Sequence, residues 1–238
     1  MAQEIIRLDL GGVNAYLIKN NECFALVDTG GSLILDKKNI NGRKDLIDSL
    51  LFKNGVTRDN LKIIILTHGD CDHSGNASYI SHKYNAPIAL NKHDGKLVNN
   101  PAINDILGNS KYESFGLRLV FAIMHKKILK IVEKVQSSFI SFVPDIFLEE
   151  GDDLGKYGFD ASVIFTPGHT AGSVSILTGD GDLMCGDTFG NNKKPDIAMN
   201  AEDFTMMRKS IQKIMKLNIK MVYPGHGEPF EFSEFKSR

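Results

Sequence analysis

Cysteine is scarce in this chain, with three residues, Cys23, Cys71 and Cys185, and no C-x-x-C pair or even set from which a disulfide framework could be inferred. An excess of positive charge is also missing. With 28 Lys and Arg against 29 Asp and Glu, the formal charge is −1, so no overall basic excess exists to gather phosphates and nucleic acid is not expected as a partner, although local basic patches are compatible with this balance. Long apolar runs are absent too. Charged residues interrupt every window long enough to span a bilayer, and the N-terminal MAQEIIRLDL lacks a basic start followed by an apolar signal core. These absences predict no stable membrane insertion and a cytoplasmic location. What remains is ordinary globular usage, 42% hydrophobic and 24% charged over 238 residues, enough for one large core. A single domain over 1–238 is therefore expected.

Along the chain, EIIRLDL, VNAYLIK and CFALVDTG read as three closely spaced strands separated by Gly-Gly and Asn-Asn turn signals, a β-meander. Residues 42–54 follow with helical spacing through Leu46, Ile47, Leu50 and Leu51. A second helix is expected over SGNASYISHKYN, a strand at PIALN, and an amphipathic helix over 201–218 with Phe204, Met207, Ile211, Ile214 and Met215 on its apolar side. Periodicity alone gives only a mixture of α and β.

Chemistry concentrates in four short segments. THGDCDH supplies His68, Asp70, Asp72 and His73 within six residues, PGHTAGS supplies His169, CGDTFG supplies Asp187 and YPGHG supplies His226. Each follows a short apolar run, KIIIL (62–66), ASVIF (161–165), DLM (182–184) or KMVY (220–223), and is expected to open a glycine-containing loop at a strand end. A lone histidine in a loop is usually structural, and an Asp before Gly or Thr is usually a turn former. Two histidines and two carboxylates against one strand end have few structural explanations. Imidazole and carboxylate are suitable donors for zinc, iron or manganese, so a two-metal site is the leading reading. Cys71 and Cys185 flank these segments, but strand alternation can turn such neighbours into the core. His82, His93 and His125 have no ligand partners nearby in sequence and read as surface or packing residues.

The ordered motifs LVDTGG (26–31), THGDCDHSGN, TPGHTAGS, CGDTF and YPGHGEP resemble those of the metallo-β-lactamase superfamily over nearly the whole chain. The resemblance implies an α+β fold, the four-layer αββα sandwich of that superfamily. It also implies two divalent ions, with zinc preferred and iron or manganese as alternatives: His68, Asp70 and His169 around one, Asp72, His73 and His226 around the other, and Asp187 bridging. Asp70 stands where most members have His, although flavodiiron proteins place a Glu there. A harder anionic donor raises the preference for iron or manganese. Asp28, in VDTGG, corresponds to an aspartate that supports the metal-binding loops through hydrogen bonds.

The implied activity is that of a metallo-hydrolase in which hydroxide held between two ions attacks a thioester, ester or lactone, as in the glyoxalase II and lactonase branches, with Asp72 and Asp187 as the catalytic carboxylates. Only twelve residues follow His226, so no counterpart of the C-terminal glutathione-binding helices of glyoxalase II is expected, and the lack of an export signal argues against an antibiotic-degrading lactamase. A di-iron oxidoreductase resembling the flavodiiron proteins and a phosphodiesterase are the alternatives. A small-molecule substrate is the expected partner, and a homodimer is compatible with the sequence.

Residues 95–147 carry no metal-binding motif and are expected to form a helical lid. There Leu117, Val120, Phe121, Met124, Ile128, Ile131, Val132 and Val135 recur at helical spacing, Lys126, Lys127, Lys130 and Lys134 make the other side basic, and Phe139, Ile140, Phe142 and Val143 extend the apolar supply. Core packing, a substrate-covering flap, a dimer surface and an interfacial membrane contact all suit that pattern.

Overall fold

The computed structural model describes residues 3–31, 42–101 and 111–236. In chain order the elements are β1 (Glu4–Asp9), β2 (Asn14–Asn20), β3 (Cys23–Val27), α1 (Gly42–Lys53), β4 (Leu61–Ile65), α2 (Cys71–Ser74), α3 (Ala77–Tyr84), β5 (Ile88–Leu90) and α4 (Gly95–Asn99). They continue as β6 (Lys111–Tyr112), α5 (Phe115–Ser138), β7 (Ile146–Phe147), β8 (Ala161–Phe165), β9 (Val174–Thr178), β10 (Asp182–Asn191), β11 (Asp196–Ile197), β12 (Asn200–Ala201), α6 (Phe204–Ile214), β13 (Met221–Gly227) and β14 (Phe230–Glu231).

Two sheets hold most of these strands. One runs β1-β2-β3-β4-β5-β7 and the other β14-β13-β10-β9-β8, with β11 on β10. The expected meander is β1 to β3, paired antiparallel, and β4 then joins β3 in parallel after crossing through α1.

Strand alternation explains the layering. On β3 and β4, Ala25, Val27, Ile63 and Ile65 face inward and meet Val163, Val174, Ile176 and Met184 of the second sheet. The alternate residues Phe24, Leu26 and Ile64 face outward against Ile47 and Leu51 of α1 and Ala77 and Ile80 of α3, and Leu61 joins them because the register shift between the Phe24–Leu61 and Ala25–Ile63 pairs inserts one extra residue in β4. On the far side, Leu183, Cys185 and Val222 face outward against Met207, Ile211 and Ile214 of α6. Central strands buried on both faces read as continuous apolar runs, as KIIIL does. The result is the expected αββα sandwich.

Local chemistry sets the helix ends. Asp203 caps α6 by accepting from the Thr205 and Met206 amides. The α3 helix stops at Asn85, which takes the left-handed conformation. Met215, expected on the buried side of the 201–218 helix, follows its last turn and is exposed.

The 95–147 segment departs from a simple core helix. Its ends are tied in: Val98 is buried, Phe139 and Phe142 pack on the outer helical layer, and the Phe142 amide donates to the Val98 carbonyl at 3.1 Å. Between them, the described side chains of α5 bury little. Leu117, Phe121 and Val135 are half-buried, whereas Val120 and Met124, expected on the packed side, are exposed, as are Ile140 and Val143. The side chains of His125, Ile128, Ile131 and Val132, and all of 102–110, lie outside the described residues. Among the described residues, no helix is long and apolar enough to cross a membrane.

Candidate metal centre

Strand ends at one rim of the sandwich bring the four motifs together. His68 and Asp70 lie on the turn after β4, and Asp72 and His73 on the single-turn α2, which starts at Cys71, earlier than the helix expected from Ser74. His169 lies on the loop between β8 and β9. The other two do not sit on loops after strands, as expected, but inside them. Asp187 is within β10 and His226 within β13, because the parallel β10–β13 ladder continues past the glycines through register shifts at Gly186 and before Gly190. Gly225 permits this approach, since a Cβ there would fall 2.3 Å from Asp187 Oδ1 and 2.5 Å from His73 Cε1.

All seven sequence-predicted residues meet. His169 Nε2 is 3.1 Å from Asp70 Oδ2 and 3.6 Å from Asp187 Oδ2, and His68 Nε2 is 3.7 Å from Asp70 Oδ2. On the other side, His226 Nε2 is 3.4 Å from Asp72 Oδ2 and 3.2 Å from Asp187 Oδ2, while His73 Nε2 is 3.3 Å from Asp187 Oδ1 and 3.9 Å from Asp72 Oδ2. Within this cluster, three groups have donor atoms close enough together to hold an ion: His68 with Asp70 and His169, His68 with His73 and Asp187, and Asp72 with His73 and His226.

The opposite nitrogen of each imidazole is pinned. His73 Nδ1 is 2.9 Å from Asp28 Oδ2, His169 Nδ1 is 3.1 Å from the Asn200 carbonyl, and His226 Nδ1 is 2.6 Å from the Gly12 carbonyl. His68 Nδ1 is 2.9 Å from Thr67 Oγ1, whose only proton is donated to Asp28 Oδ2 at 2.8 Å. The hydroxyl therefore accepts from His68. Every Nδ1 then carries a proton, and every Nε2 points into the cluster, where in the neutral ring it offers its lone pair to a cation.

Burial sharpens the demand for a cation. Among the described residues, four buried side-chain polar atoms make no hydrogen bond, and three of them are here: His68 Nε2, His73 Nε2 and Asp187 Oδ1. Such orphans are costly unless something coordinates them. The donor set thus fits metal ions of the zinc, iron or manganese type.

Without such ions, the charges adjust one another. Burial and the neighbouring His73 and His169 push His68 down to about 4. Burial would lower His73, but Asp187, Asp72 and Asp28 carry it well above the ordinary range. Burial also opposes His169, yet Asp70 and Asp187 raise it to about 9, and the Asp187 charge raises His226 to about 11. Burial would raise Asp187 and Asp72, but His226 and His73 hold both well below the carboxylate range. Asp70 is lowered as well, where His169 and His68 outweigh its burial.

Asp28 has the supporting position expected for it. It sits in the left-handed region at φ 61° and is 2% exposed. Its Oδ1 accepts from the Thr67 amide at 2.8 Å. Asp94 was not foreseen. This buried carboxylate accepts from the Gly69 amide at 2.8 Å, the Thr170 hydroxyl at 2.7 Å and the Gly172 amide at 2.7 Å, fastening the His68–Asp70 turn to the His169 loop. Burial pushes it up to about 6. Its signal was present, since NKHDG follows the PIALN strand as the other motifs follow theirs. Cys185 packs in the outer core, where burial pushes its thiol up, and Cys71 is half-buried. His82 and His93 are exposed, His93 lying over the Phe165 ring.

A cavity of about 720 Å³ opens over the cluster, lined by Asp70, Asp72, His169, Asp187 and His226 and also by Asn192, Lys193 and Lys194. Fold and rim together define an αββα sandwich with a metal-type donor cluster at its edge. A family model described as the metallo-beta-lactamase superfamily matches residues 8–226. A probable metallo-hydrolase of Methanocaldococcus jannaschii is 29% identical over 206 residues, covering 82% of this chain and 86% of the relative. One of Bacillus subtilis is 25% identical over 229 residues, covering 93% and 89%. Among solved structures, the B3 metallo-beta-lactamase BLEG-1 superposes with a TM-score of 0.67 at 22% identity, covering 97% of this chain and 95% of that one. A metallo-beta-lactamase family protein of Thermus thermophilus gives 0.69 at 20% identity, covering 96% and 74%. The chain belongs to the metallo-β-lactamase superfamily, a superfamily of metallo-hydrolases.

Proposed function

We propose that the chain is a hydrolase that holds two divalent ions and cleaves a thioester, ester or lactone. The observation that carries this reading is the convergence of four Nε2 atoms and three carboxylates, with every opposite Nδ1 pinned. His68, Asp70 and His169 hold one ion and Asp72, His73 and His226 the other. Asp187 reaches both, Oδ1 toward His73 and Oδ2 toward His169 and His226. When bound, such ions supply Lewis acidity and make a nucleophile of water near neutral pH.

The remaining work falls to the chain. Asp72 is ionised, its side chain 41% exposed toward the cavity, and it orients the attacking water. Asp187 fixes the separation of the two donor sets. Lys193 and Lys194 at the cavity mouth favour a substrate that carries negative charge. The 95–147 insert acts as a lid. Its β6 pairs with β12, whose Asn200 carbonyl holds His169, and its Glu113, Ser114 and Leu117 border a second cavity of about 560 Å³. Asp196, Ile197, Ala198 and Met199 line both cavities, so a substrate longer than the first has room to extend.

Protein reconstituted separately with zinc, manganese and iron, screened on thioesters, lactones, β-lactams and phosphodiesters, tests the reading. Turnover of an acyl substrate that disappears in Asp187→Ala supports it. Turnover confined to phosphodiesters, or unaffected by Asp187→Ala, overturns it. Asp70 also supports a second reading, a di-iron oxidoreductase, because its carboxylate is a harder donor than imidazole. Bound iron with a redox-active spectrum and no hydrolysis would select that reading.

A further inference from the structure

The exposed face of α5 is left over once the fold and the metal centre are accounted for. Phe115 and Ile123 are 79% and 76% exposed, and Leu119 between them is exposed as well. At spacings of four these three form one stripe, and Lys126, Lys130 and Lys134 prolong the same stripe toward the C-terminus, with Lys127 beside it. The outward face is therefore apolar over its first turns and basic over its last. Charge is segregated here. The 24 residues of α5 hold five Lys and Arg against one acidic residue, Glu133, while the whole chain carries −1.

We propose that this face docks the protein on an anionic lipid surface. At 1.5 Å per residue the helix is about 36 Å long, room enough to lie in the headgroup plane with Phe115, Leu119 and Ile123 dipped toward the acyl boundary and the lysines against lipid phosphates. Lysine stems can cover apolar surface while their heads stay among the phosphates. A second copy of the chain suits the face poorly. A twofold pairing would lay lysines either on apolar side chains or on other lysines, and neither arrangement neutralises them. Anionic lipid answers both halves of the stripe at once, and it requires no membrane-spanning helix.

Flotation of the full-length, metal-loaded protein with vesicles tests this, comparing phosphatidylcholine alone with phosphatidylcholine containing 30% phosphatidylglycerol. The protein is expected to float with the anionic vesicles and not with the neutral ones. Lys130→Glu is expected to cut binding by at least roughly fivefold, the value of one surface cation, and added salt to weaken it further. Ile123→Glu is expected to abolish it. Both side chains are exposed or face solvent, so far-UV circular dichroism and the melting temperature should match the parent and confirm that each variant folds. Equal binding to both vesicle types, no binding to either, or a dimer in analytical ultracentrifugation that Ile123→Glu dissolves would overturn the proposal.

Discussion

Asp28→Asn separates the hydrogen-bond account of the metal centre from a merely steric one. Asparagine fits the left-handed backbone at this position and has nearly the same shape, so the packing is preserved. The chemistry is not. Asp28 accepts three hydrogen bonds, from the Thr67 amide, the Thr67 hydroxyl and His73 Nδ1. If the new carbonyl keeps the Thr67 amide, the new amino group faces the other two donors. His73 must then move its proton to Nε2 or turn away. The Thr67 hydroxyl, now an acceptor from the amide, must donate to His68 Nδ1, which drives the His68 proton to Nε2. One imidazole from each donor set thus presents a proton where a lone pair is needed. Losing a hydrogen bond to a charged group costs about 1.5–3 kcal/mol, or about 10–150-fold in affinity, in keeping with the 10–100-fold typical of groups that orient metal ligands. Competition against a chromophoric chelator at pH 7.5 should show both ions weakened by about 10–100-fold, with the melting temperature of the metal-free protein little changed. Unaltered affinity for both ions would refute the tautomer argument.

Asp70→His should keep hydrolysis and raise the zinc-to-iron ratio of protein grown in one medium, as elemental analysis would read; an unchanged ratio contradicts the donor-hardness argument. Gly225→Ala should displace Asp187 and His73, because its Cβ would enter their contact distance, and should lower metal content and turnover by at least tenfold in a chain that still folds. In chelator-treated protein, His169 and His226 are raised to about 9 and about 11 by the surrounding carboxylates. Their protonated forms contribute stability that is fully present below the unfolded histidine value of about 6.5 and lost as pH rises through 9 and then 11. The melting temperature of the metal-free chain should therefore fall between pH 7 and pH 10, and a flat or rising profile would contradict this.

The site was more legible than the backbone that holds it. The seven residues that meet at the rim could be picked out because histidine and carboxylate in those motifs have few other uses, and β8 coincides with ASVIF, where an apolar run is bounded by turn signals on both sides. The extents of β10 and β13 were hidden, because the glycines of CGDTFG and YPGHG signal loops locally, while the parallel ladder between the two strands is a long-range pairing. Asp94 was overlooked for a similar reason. Its partners Gly69, Thr170 and Gly172 are distant in sequence, and only the folded rim joins them. The exposure of α5 was illegible because spacing shows which side chains share a face, not whether that face is covered.

Anomalous diffraction from crystals of the purified protein, collected above and below the zinc and iron absorption edges, tests the central claim most directly. Two peaks are predicted on either side of Asp187, one among His68, Asp70 and His169 and the other among Asp72, His73 and His226. Catalytically active crystals with no peak within coordination distance of these residues would contradict it.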